Sequence, residues 1–126
     1  MANLDSVEAY LEGQDPGAVE LFRRFEQLVE SCGPSEAAPR SSIVYWKRTR
    51  VFAGAYIERG RLELNIDLLR SAEHPCLLAA FPTTKRVITH RLRITEAAQL
   101  DDSVLALLGE AHEDVGPGTR RLAPLH

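Results

Sequence analysis

Arg61-Leu62-Glu63-Leu64-Asn65-Ile66-Asp67 alternates polar and aliphatic residues without a break. A period of two is that of a β-strand, whose successive side chains point to opposite faces. One face of this strand is therefore aliphatic, and the other carries Arg61, Glu63, Asn65 and Asp67. Such a strand belongs in an antiparallel sheet with one covered face, not in a parallel sheet buried on both. Its partners lie just upstream. Arg59-Gly60 reads as a turn and 50–57 as a second strand, in which Gly54 marks a bend or a close backbone approach. Before that, Arg48-Thr49 reads as a tight turn and Ser42-Ile43-Val44-Tyr45-Trp46-Lys47 as another strand. Turns this short make the three strands an antiparallel meander.

Helical spacing flanks the meander. Asp15 suits an N-cap and Pro16 a first helical position, after which Leu21, Phe22, Phe25, Leu28, Val29 and Cys32 form one apolar stripe. Gly33-Pro34 closes that helix, and 34–40 reads as a loop. A shorter helix is expected over 4–12. Downstream, Leu68–Glu73 suggests a helical turn, while Pro75 and Pro82 bracket an apolar stretch with no decisive period. Residues 85–94 read as a fourth strand. Thr95 or Asp101 then caps a last helix with Val104, Leu107, Leu108 and Ala111 on one face, ended by Gly116-Pro117. The order implies an α+β two-layer sandwich: an antiparallel sheet of about four to five strands with the N- and C-terminal helices on one face. A single domain over 1–126 is expected, with 1–14 as an N-terminal extension and 117–126 as a flexible tail.

Composition narrows the function classes. The net charge of −3 conceals a basic centre: 40–93 holds eleven Lys or Arg against four acids, whereas both ends are acidic. A cationic sheet face beside acidic helices attracts small anions, but the helices repel a polyanion, which disfavours nucleic acid. The opening Met-Ala-Asn-Leu-Asp-Ser-Val-Glu has no basic, apolar leader pattern. The longest uncharged apolar run, Pro75–Pro82, is too short for a bilayer span. Cys32 and Cys76 lack C-x-x-C spacing and read as free thiols. A cytoplasmic protein without a membrane partner follows. His74-Pro75-Cys76 has no second ligand pair, so no metal is expected, and without a Gly-rich phosphate loop no cofactor is expected either.

The sheet face away from the helices is where function is sought. On the fourth strand Ile88, His90, Leu92 and Ile94 form the more apolar set and are placed inward, leaving Thr89, Arg91 and Arg93 outward. Aligning the polar sets of all four strands gathers Tyr45, Lys47, Arg50, Tyr56, Glu63, Asn65, Asp67, Arg91 and Arg93, and Gly54 with Ala53 leaves room above them. Arginines offer bidentate contacts to carboxylate or phosphate and tyrosines a flat wall. The set, with Trp46 as either a stacking platform or a core anchor, describes a pocket for a small anionic or polar molecule. It equally describes an exposed face with cross-strand ion pairs, such as Arg91 or Arg93 with Glu63 or Asp67. Two alternatives share the surface: a small enzyme with His90 or Asp67 as acid/base, and a dimerisation or protein-interaction module forming a homodimer through this face. His90 also reads as a core histidine bonded to backbone. His112, near a helix C-terminus, suits a structural role.

Leu21-Phe22 with Phe25, Ser42-Ile43, Lys47-Arg48-x-Arg50-Val51-Phe52-Ala53, Leu62-x-Leu64, Asp67-Leu68-Leu69, His90-Arg91-Leu92-Arg93-Ile94, Leu100-Asp101-Asp102 and Leu107-Leu108 with Glu110-Ala111 follow one another in order. In this the chain resembles small bacterial and archaeal domains of unknown function, some at the C-terminus of predicted transport or nuclease-associated proteins and YdhG-like in appearance. The resemblance covers about three quarters of the chain and departs at 70–84. It implies an α+β fold with a curved antiparallel sheet and no known activity.

Overall fold

The computed structural model describes residues 2–119. Among them, β1 (Glu36–Pro39), β2 (Val44–Lys47), β3 (Val51–Glu58), β4 (Arg61–Leu68), β5 (Leu77–Pro82) and β6 (Ile88–Ile94) form one six-stranded sheet in the order β1-β2-β3-β4-β6-β5. Every pairing is antiparallel. The helices are α1 (Val7–Leu11), α2 (Pro16–Ser31) and α3 (Asp102–Asp114), with a 3-10 turn at Ala97–Gln99. The α+β class and the antiparallel sheet are as expected, but the strands number six rather than four to five. Both additions are edge strands. β1 lies in the segment read as a loop, because Glu-Ala-Ala-Pro has no alternation and a proline that only an edge tolerates. β5, Leu-Leu-Ala-Ala-Phe-Pro, has no polar residue with which to alternate.

The helix-facing side of the sheet is the core. Leu62, Leu64, Ile66 and Leu68 of β4 and Leu92 and Ile94 of β6 are fully buried with Phe22, Phe25 and Val29 of α2 and Val104, Leu108 and Ala111 of α3. Trp46 belongs to this core: its ring lies 5.7 Å from Phe22 and edge-on to Phe25 at 5.6 Å. The N-terminal segment is part of the body. Tyr10 and Leu11 are buried, and the Leu4 N–H donates to the Pro39 carbonyl at 3.1 Å, sealing the β1 edge. Asp15 caps α2 through the Ala18 N–H at 3.0 Å, and Asp101 rather than Thr95 caps α3. Of the expected tail, 120–126 lie outside the described residues; the Thr119 carbonyl accepts from Arg86 at 2.8 Å.

Two details set the strand faces. Arg59 (φ 51°) and Gly60 (φ 74°) are both left-handed, the backbone of a two-residue hairpin turn whose twist matches its strands. Where β2 meets β3 the register shifts, Trp46 facing Ala53 and Lys47 facing Val51. Phe52 is the extra residue of this bulge. Simple alternation puts it on the face with Gly54 and Tyr56; instead it is fully buried, its ring edge-on to His112 at 5.3 Å. Among the described residues no helix is long and apolar enough to cross a membrane.

Candidate functional site

Register carries the site. Tyr45 faces Gly54, Gly54 faces Asn65 and Asn65 faces Arg91, so one row crosses four strands on the open face. A second row joins Tyr56, Glu63 and Arg93. Two depressions lie over these rows. The larger, of about 520 Å³, is walled by Tyr10, Tyr45 and Tyr56, with Ser41, Asn65 and Arg91 among its polar groups. The smaller, of about 370 Å³, is bounded by Arg50, Asp67, Phe81, Thr83 and Thr89. Tyr45, Asn65 and Arg91 line both. Burial raises the phenol pKa of Tyr10, and burial with the nearby Glu63 carboxylate raises that of Tyr56.

The floor differs from expectation at Gly54. A β-carbon there would stand 3.2 Å from both Ile43 Cδ1 and Tyr45 Cδ1, so these side chains fold over the glycine and occupy the space above it. The missing side chain serves close packing of β2 on β3, and the tyrosine it admits becomes a wall.

Charge pairing divides the three arginines expected here. Arg50 Nη1 lies 3.0 Å from Asp67 Oδ2, and Thr89 Oγ1 donates to Asp67 Oδ1 at 2.7 Å; Thr83 in turn bonds Thr89. Arg93 Nη2 lies 3.8 Å from Oε1 of Glu63, a carboxylate that is itself buried. Arg91 has no carboxylate at salt-bridge distance among the described residues. Its Nε reaches Asn65 Oδ1 at 3.4 Å, and its guanidinium lies over the Phe81 ring at 5.4 Å. Phe81 comes from β5, a strand that alternation does not reveal.

Several expected site residues lie elsewhere. Trp46 is on the helix side of the sheet. Lys47 sits by the 48–50 turn, opposite Glu36 of β1, and lines neither depression. His90 is also on the helix side and 1% exposed; its Nε2 accepts from the Ala72 N–H at 2.9 Å and its Nδ1–H donates to the Ile66 carbonyl at 3.3 Å. Both ring nitrogens are thus spent on backbone, pinning the chain where it leaves β4. His112 is buried in the core and bonds the Pro34 carbonyl at 3.0 Å. Among the described residues no group of three or more His, Cys, Asp or Glu is placed to hold a metal.

Residues 7–115 match the family described as a domain of unknown function, DUF5655. The chain belongs to the DUF5655 family. The matched span runs from the start of α1 to the C-cap of α3, and so takes in the whole sheet and both depressions. A small domain of unknown function, as the sequence resemblance implied, is borne out at that level. Comparison with curated proteins and with solved structures yields no match.

Proposed function

We propose that this chain binds a small anionic ligand, a carboxylate or phosphate on a flat polar body, in the tyrosine-walled depression, with Arg91 as the anchor. The observation that carries this is the standing of Arg91: it lines both depressions, and unlike Arg50 and Arg93 it lacks a carboxylate partner among the described residues. Phe81 and Asn65 hold its guanidinium in place, so little side-chain freedom is lost when an anion arrives. Tyr45 and Tyr56 supply the flat walls. Asp67 and Glu63 set the outlines of the site by neutralising the arginines beside it.

Acid/base catalysis has less support. His90 faces the other side of the sheet, and both oxygens of Asp67 are engaged. The likeness to YdhG-like and nuclease-associated domains brings no residue role to the site. Two half-buried free thiols, Cys32 and Cys76, suit a reducing cytoplasm.

Thermal-shift screening with organic acids, sugar phosphates and nucleotides, each beside its neutral amide or alcohol, tests the proposal. A ligand at a hundred times its Kd adds about 2.7 kcal/mol of stability. Arg91→Ala removes a charge-assisted contact of about 2 kcal/mol, close to thirtyfold in Kd, while the neutral analogues stay unaffected. Hits that bind Arg91→Ala as tightly as the parent chain would sink the proposal.

A further inference from the structure

We infer that β5 is an interface, and that a second copy of this chain pairs with it antiparallel, continuing the sheet across a two-fold axis. The two edges of the sheet are treated differently. β1 is short, contains Pro39, and is covered by Leu4 and the Asn3–Arg40 bridge. β5 is bare: five of its six residues are exposed. Among the described residues three large hydrophobics are exposed, and Leu78 and Phe81 of β5 are two of them. Edge strands that must stay single usually carry a charge pointing outward or inward. From Pro75 to Thr84 this chain has none.

Charge selects the occupant. The neutral strand is preceded by exposed Glu73 and followed by exposed Lys85 and Arg86. Glu73 and Lys85 each lie six residues from Ala79. An antiparallel self-pair centred on Ala79 therefore sets Glu73 of each copy beside Lys85 of the other, twice over by symmetry. A parallel pairing would oppose like charges instead. The seam also runs along the outer wall of the smaller depression, which Phe81 and Thr83 form.

Sedimentation velocity of the full chain, from micromolar to near-millimolar concentration, tests the pairing. The parent chain is expected to dimerise. Ala79→Lys places like charges across the seam and weakens dimerisation about tenfold or more. Because Ala79 is exposed, circular dichroism should be unchanged, and at concentrations too low for dimerisation the melting temperature should differ from the parent chain's only by the cross-strand repulsion from Arg91. Glu73→Lys alone should weaken the dimer, and Glu73→Lys with Lys85→Glu should restore it, an outcome that loss of folding does not imitate. A chain that is monomeric throughout, or a dimer of equal affinity in all these variants, overturns the inference; the first result would assign the edge to a foreign strand.

Discussion

Tyr10 and Tyr56 both line the larger depression, and each phenol is harder to ionise than a free one. For Tyr10 the cause is burial, partly offset by the Ile57 N–H that its oxygen accepts at 2.8 Å. For Tyr56 it is burial first, then the Glu63 carboxylate. A pKa raised on folding means that the folded state holds the proton more tightly. The stability this contributes is complete below about pH 10 and is lost as pH rises through the folded value. Spectrophotometric titration should therefore show late phenolate absorbance that Tyr10→Phe and Tyr56→Phe each reduce. Tyr10→Phe should also cost about 1 kcal/mol, since the Ile57 N–H loses its acceptor. Titration indistinguishable from free tyrosine would refute both assignments. At this scale alternation alone sends Tyr45, Tyr56, Asn65 and Arg91 to the open face. It does not say which arginine keeps its charge free, because the answer depends on partners 17 and 30 residues away, Asp67 for Arg50 and Glu63 for Arg93.

Between elements, the turn after β2 docks on the end of α3 through one glycine. The Gly116 carbonyl accepts from the Thr49 and Arg50 N–H groups, both at 2.9 Å, and Arg48 Nη1 donates to the His112 carbonyl at 2.8 Å, where a cation also suits the helix dipole. A β-carbon on Gly116 would lie 2.5 Å from the His112 carbonyl oxygen and 2.6 Å from Arg48 Cδ. Gly116→Ala is thus expected to cost about 2 kcal/mol in denaturant unfolding. Gly109, inside α3, has nothing within 4 Å of the same position, so Gly109→Ala should gain about 0.5–1 kcal/mol. Equal effects at the two sites would contradict the docking. The same contacts tie Arg48 to the end of α3, away from the two depressions of the open face. Elements with strong local patterns, α2, β4 and α3, are legible from spacing and caps. β1, β5 and the bulge at Phe52 are not: an edge strand has one neighbour and a bulge breaks the period, so neither leaves a periodic trace.

For the molecule as a whole, three arginines of the basic centre are taken up in short-range pairs. Arg50 meets Asp67, Arg93 meets Glu63, and Arg70 clasps Glu110 of α3 with two contacts of 2.8 Å. Of the three arginines on the open face, two are neutralised in this way and Arg91 is left over. If β5 pairs with its own copy, the melting temperature must rise with protein concentration, since dimerisation stabilises the folded chain by mass action. Ala79→Lys should flatten that dependence in scanning calorimetry; a midpoint independent of concentration in the parent chain would count against the interface. Period and caps are local properties, so the residue string alone settles that there is an antiparallel sheet, which of its faces is apolar, and that helices cover that face. Which charges cancel, which edge stays open and which arginine is spare emerge only when strands far apart in the chain come into register, because Coulomb and hydrogen-bond energies depend on distances of a few ångströms that no local pattern encodes.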